Sequence, residues 1–172
     1  MNEPIKELKT RTGLVIRIRA VTPDDAPVLS DLFHHLRKED LRFRFLSAIS
    51  EVGPEWISKM ANADHDRVET FLAFDQASNM AVATAMLVRS DDGQRGEVAV
   101  SVHADYRNRG IGWELLSFVA EQARRRGMHR IESLESRANY DAIELERNMG
   151  FSVAPVPGDS TLALVSMDLG MA

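Results

Sequence analysis

Apolar and β-branched residues crowd Leu14–Ala20 (LVIRIRA), and this run predicts a first strand. The next four residues, Thr22-Pro23-Asp24-Asp25, have the make-up of a helix start. Thr22 stands as N-cap, Pro23 at the first helical position, and acids fill the first turn. Ala26, Leu29, Leu32, Phe33 and Leu36 then recur at helical spacing and predict one buried face. In Asp40–Leu46, Leu41, Phe43 and Phe45 alternate with Arg42 and Arg44, so a short helix and an extended piece both stay open. Pro54–Met60 reads as a further short helix.

Three strand-like runs follow, Thr70–Asp75, Met80–Arg89 and Glu97–Val102. Turn signals at Ser78-Asn79 and Asp91-Asp92-Gly93-Gln94 separate them, which predicts an antiparallel meander. From Gly110 to Arg126 the pattern is that of a long amphipathic helix, with Ile111, Leu115, Phe118, Val119 and Ala123 on one stripe and Gly127 as its stop. His129–Leu134 reads as a strand and Asn139–Asn148 as a helix stopped at Gly150. Phe151–Ala154 and Thr161–Asp168 close the chain as strands around Pro157-Gly158. This order predicts a mixed α/β sheet with helices on both faces.

At 172 residues one domain is expected, with Met1–Thr12 as a polar N-terminal extension lacking a signal-peptide core. No apolar run is long enough to span a bilayer, so a cytoplasmic protein without a membrane partner is expected. The formal net charge of -5 argues against a nucleic-acid partner. Cysteine is absent, which removes disulfides and thiol nucleophiles. The five histidines show no zinc-ligand spacing, and no metal is expected.

The candidate chemistry centres on Arg107-Asn108-Arg109-Gly110-Ile111-Gly112, between the strand ending at Val102 and the long helix. Glycine admits left-handed backbone and close approach of a ligand. A helix start presents N–H groups backed by the positive dipole end. With two arginines alongside, this is an anion cradle suited to a phosphate or pyrophosphate. A dinucleotide site of the Rossmann kind would need the turn after the first strand and a third glycine. Here the turn follows the fourth strand and that glycine is missing.

The strand Glu97–Val102, the Arg-x-x-Gly-x-Gly turn and the helix behind it resemble motif A of the GNAT acyltransferases. Asn139-x-x-Ala142-Ile143-x-Leu145-x-x-x-Met149-Gly150-Phe151 resembles the family's motif B, and the likeness runs from about Leu14 to Asp168. A nearer resemblance is to the GNAT domain of bacterial protein lysine acetyltransferases, through Asp40–Leu46 and Glu97-Val98-Ala99-Val100. It implies the GNAT fold, a mixed, mostly antiparallel sheet of about six to seven strands flanked by helices on both faces.

The resemblance also implies site residues. In the family the cradle's N–H groups hold the pyrophosphate of coenzyme A, which assigns acetyl-CoA binding to Arg107, Asn108, Arg109, Gly110, Ile111 and Gly112. It runs the pantetheine arm along the backbone of Val100, Ser101 and Val102 and sets Asn139 beside it; Asn139 also reads as an N-cap. Glu97 is the implied general base, since a lysine amine with a reference pKa of about 10.4 must shed a proton before it attacks. A strand N–H near Val102 would polarise the thioester carbonyl.

Many GNAT enzymes carry an acidic tyrosine in motif B where this chain has Glu146, so the general acid stays open. A carboxylate there reads as exposed and idle, Tyr140 as a poor substitute by position, and His103 as a solvated loop residue. Arg42–Phe45 would lie near the acceptor groove, with Phe43 and Phe45 as core. Arg124-Arg125-Arg126 reads as basic residues that favour a helix C-terminus. The expected activity is acetyl transfer from acetyl-CoA to a primary amine, a protein lysine or a small amine, by direct attack in a ternary complex. A homodimer is an expected form. The alternative is a non-catalytic acyl-CoA-binding sensor module.

Overall fold

In the computed structural model, which describes residues 6–45 and 52–170, the chain builds one sheet of eight strands. Strands β1 (Lys6–Lys9), β2 (Val15–Ala20), β3 (Val68–Asp75), β4 (Ala81–Arg89) and β5 (Arg95–Val102) lie side by side, each antiparallel to the next. Strand β6 (Arg130–Ser136) joins β5 in parallel. Strands β7 (Ser152–Val156) and β8 (Asp159–Asp168) complete the order β1-β2-β3-β4-β5-β6-β8-β7. The parallel pair follows from its connection: a helix, α4 (Ile111–Arg125), carries the chain back to the other end of the sheet.

The other helices are α1 (Ala26–His34), α2 (Lys38–Phe45), α3 (Pro54–Ala61) and α5 (Tyr140–Asn148). Adjacent residues Phe71 and Leu72 on β3 show how the sheet serves two layers, because successive side chains point to opposite faces. Phe71 packs with Ile111, Leu115 and Val119 of α4, whereas Leu72 packs with Leu29, Leu32 and Ile57 of α1 and α3. Both cores are fully enclosed at these positions, and the predicted stripe of α4 is the buried one.

Two expectations are sharpened. The polar N-terminal extension holds β1, with Leu8 opposite Ile16, and so brings the sheet to eight strands. As an edge strand with three of its four residues exposed, it has no apolar pattern to reveal it. The open choice over Asp40–Leu46 falls to helix as far as Phe45, with acids Glu39 and Asp40 in the first turn of α2 and Arg42 and Arg44 in the last, as the dipole favours. Leu46 lies outside the described residues.

The predicted helix start at Thr22 opens as one 3-10 turn, Pro23–Asp25, ahead of α1. Its lock is Asp25, whose carboxylate accepts from the Thr22 N–H at 2.7 Å and from both Arg19 Nη atoms at 2.7 and 2.8 Å.

The feature that makes a site is an opening in the sheet. β5 and β6 pair only through Arg95 with Arg130, Gly96 with Ile131 and Glu97 with Glu132. Beyond Glu97, β5 stays on β4 as far as Val102, opposite Ala83, while β6 continues on β8 as far as Ser136, opposite Leu162. The two strands therefore part. On the β4 side, the His103 N–H donates to the Val82 carbonyl at 2.8 Å and the Ser90 N–H to the Arg95 carbonyl at 2.9 Å. Odd-numbered residues of β5 thus bond to β4, and the two-residue period turns the N–H and C=O of Val98, Val100 and Val102 toward the opening.

Candidate active site

A cleft of about 480 Å³ fills the opening between β5 and β6. Its walls are Val98–Val102 of β5, the loop into α4, Ser133, Leu134 and Glu135 of β6, and one face of α5. A second cavity of about 470 Å³ is lined by Trp56, Met60, Val68, Met86, Val88 and Glu97. Arg44, Val98 and Ala99 line both, so the two cavities meet on β5. Alternation along the strand puts Val98, Val100 and Val102 on one face and Glu97, Ala99 and Ser101 on the other; residues of both faces line the first cleft, whereas Glu97 lines the second cavity.

The glycine turn curls through two left-handed residues, Asn108 at φ 62° and Gly110 at φ 84°. The turn between β1 and β2 packs under it. The Thr12 hydroxyl donates to the Arg109 carbonyl at 2.8 Å, and a Cβ on Gly110 would stand 3.2 Å from Arg11 Cγ and 3.3 Å from Thr10 Cβ. Gly110 is the N-cap of α4 and has no side chain to cap it, which leaves the first N–H groups of the helix at the cleft. Ser101 Oγ is buried without a hydrogen-bond partner among the described residues, an unmet polar group in the cleft wall.

Most of the anticipated binding residues come together here. Val100, Ser101, Val102, Arg107, Asn108, Gly110, Ile111, Gly112 and Asn139 all line the cleft. Arg107 bridges its mouth, pairing with Asp40 of α2 at 3.5 Å and Asp141 of α5 at 3.6 Å. Arg109 is exposed and turns away, with its guanidinium 4.7 Å from the centre of the Tyr106 ring. Glu97 lines the second cavity from the β5 face opposite Val98.

Several readings of the sequence are corrected. Glu146 is 5% exposed, buried rather than solvated. Its carboxyl is hydrogen-bonded to that of Glu135, and its pKa is pushed up to about 9, first by burial and then by the Glu135 charge. Burial also raises Glu135, against hydrogen bonds from Glu146, Ser133 and Asn139 and the charge of Arg44. Asn139 occupies the N-cap position of α5 without capping it; its side chain bonds to Glu135 instead.

His103 is buried, stacked on His35 at 5.0 Å and accepting from the Asp105 N–H at 3.0 Å. Phe43 is cleft wall rather than core, half-buried under Arg42. The side chain of Phe45 lies outside the described residues. Arg124, Arg125 and Arg126 do more than favour a helix end: the first two pair with Glu121 and the third with buried Glu69. Tyr140 is 75% exposed and does not line the cleft.

Glu135 and Arg11 are cleft residues without a role in the sequence reading, while Arg44, from the segment expected near the acceptor groove, lines both cavities. Glu146 carried a signal: it falls on the same helical face as Asn139, Ala142 and Ile143, where a charge is out of place. Glu135 shares a strand face with Ile131 and Ser133. Burial of Arg44 lowers its pKa, opposed by the charges of Glu97 and Glu135. Among the described residues no group of three His, Cys, Asp or Glu is placed to hold a metal, and no helix is long and apolar enough to cross a membrane.

The profile of the acetyltransferase (GNAT) family matches residues 31–151. An acetyltransferase of Pseudomonas aeruginosa is 25% identical over 151 residues, which cover 87% of this chain and 81% of that one. The GNAT domain of Streptomyces lividans PAT superposes with a TM-score of 0.87 at 22% identity, covering 95% of this chain and 96% of its own. The yncA protein of Salmonella typhimurium, solved with its cofactor acetyl-CoA, superposes with a TM-score of 0.71 at 21% identity over 91% of this chain and 95% of its own.

Proposed function

The chain belongs to the GNAT family of acetyltransferases, with acetyl-CoA as acyl donor, and from that premise we propose that it acetylates a primary amine, a protein lysine foremost, by direct attack in a ternary complex. The observation that carries this reading is the meeting of two cavities on β5 at Val98, Ala99 and Arg44. The donor fits the cleft: its pyrophosphate at Asn108–Gly112, with Arg107 adding charge, and its pantetheine arm on the unpaired edge of Val98, Val100 and Val102. Ser101 Oγ and Asn139 supply further polar contacts there.

The second cavity fits the acceptor. Met60, Val68, Met86 and Val88 give it apolar walls, and its charged rim holds the carboxylates Glu97 and Asp64 beside the cations Lys59 and Arg44. The apolar walls suit the stem of a lysine side chain, and Glu97, on the strand where the two cavities meet, is the carboxylate that would receive its amine. Glu97 takes the proton from the amine, directly or through a water, so that the lone pair can attack. A strand N–H at or near Val102 faces the opening and stabilises the oxyanion that forms on the thioester carbonyl. With no cysteine in the chain, no cysteinyl acyl-enzyme is available, and attack is by the amine itself.

The test is acetyl-CoA with a panel of lysine peptides, proteins and small amines, read by mass spectrometry. Glu97→Gln should lower turnover about 100-fold with donor affinity retained. Unchanged turnover removes Glu97 as base, and donor binding without transfer to any acceptor replaces the enzyme by a sensor module.

A further inference from the structure

We propose that Glu135 and Glu146 act as a one-proton carboxyl pair in the wall of the donor cleft, and that Glu146 hands its proton to the thiolate leaving the thioester; this rests on the acyl-transfer reading above. Expelling a thiolate into a dry cleft is costly, and a positioned acid removes that cost. The two side chains come from different elements, β6 and α5, and converge by hydrogen bonding on the cleft that holds the bare edge of β5. The parallel register that sets Glu97 opposite Glu132 places Glu135 level with Val100 where the strands have parted.

At rest, two carboxylates in contact at a buried site keep one proton between them, because a second charge there is costly. Glu146 lies in the last turn of α5, where the negative end of the dipole also disfavours its charge. The other charged groups lining this cleft are Asp40 and Arg44 of α2, Arg11 and Arg107 from the loops, and Asp141 and Glu144 of α5. Arg107 is paired to Asp40 and Asp141. Arg44 acts on Glu135, which makes Glu135 the anionic partner and leaves the proton on Glu146.

The step balances. Once the amine nitrogen has bonded to the carbonyl carbon, the C–S bond breaks and its electron pair stays on sulfur. The Glu146 O–H bond breaks toward that sulfur, giving the thiol and a doubly ionised pair. The ammonium acceptor gives up two protons on becoming an amide. One recharges the pair through solvent and the other is released.

The experiment compares wild type, Glu146→Gln and Glu135→Gln against one amine acceptor over a range of pH, with kcat and the KM for acetyl-CoA measured separately. Glu146→Gln should lower kcat about 100-fold with KM little changed, and should erase the fall of kcat at high pH. Glu135→Gln should keep that limb and move it to lower pH, because the like charge that holds the proton on Glu146 is gone. A purely structural role would leave the limb in place in both variants, and that result, or an unchanged kcat in Glu146→Gln, overturns the proposal. Absence of transfer by the wild type would instead overturn the acyl-transfer reading itself.

Discussion

Replacing Glu146 by Gln should stabilise the folded protein, by an amount that grows with pH. In the fold, burial and the neighbouring Glu135 push the Glu146 pKa from its ordinary 4.5 to about 9. In the unfolded chain the same group ionises near its ordinary value. Between these two values the folded state binds a proton that the unfolded state has released, so stability falls as pH rises through this window. At about pH 7 the window has been crossed for roughly two and a half units, at roughly 1.4 kcal/mol each, or about 3 kcal/mol.

Gln keeps the shape and a donor for the Glu135 carboxylate but has nothing to ionise. Urea unfolding of both proteins should therefore show a small gap at about pH 5 that widens to about 3 kcal/mol at about pH 7. A gap that stays constant with pH would refute a buried, protonated Glu146. A variant that is more stable yet slower would fit a group retained for chemistry at a cost in stability.

Gly110 holds φ 84° against the β1–β2 turn. Gly110→Ala should lose about 1–2 kcal/mol from left-handed backbone alone and weaken acetyl-CoA binding, and unchanged melting together with unchanged calorimetric affinity would contradict this. Asp25→Asn gives up the bidentate contact with Arg19 and should lose about 2 kcal/mol at about pH 7. Arg19 holds Asp25 below its ordinary 3.8. Its contribution is present above that value and lost as pH falls through the folded pKa, so the deficit should close in acid unfolding experiments.

The strands and helices that form the two layers were legible because their apolar positions keep strict periods, 3.6 along α4 and a run of β-branched residues in β2. β1 was not, since an exposed edge strand buries too little to impose a pattern. The cradle could be read because glycine at positive φ leaves a mark in the sequence. The pairing of Glu135 with Glu146 could not. It depends on how β6 and α5 pack after the sheet has opened, and no local spacing joins residues brought together that way. The burial of His103 under His35 is of the same kind, a contact between α1's end and the loop after β5.

The donor is proposed to lie in the opening between β5 and β6. Titration of ¹⁵N-labelled protein with acetyl-CoA, followed by amide NMR, tests it most directly. The largest shifts should fall at Val98, Val100, Val102 and Asn108–Gly112, with odd-numbered β5 amides, already bonded to β4, moving less. Shifts confined to another surface, or none at saturating acetyl-CoA, would contradict it.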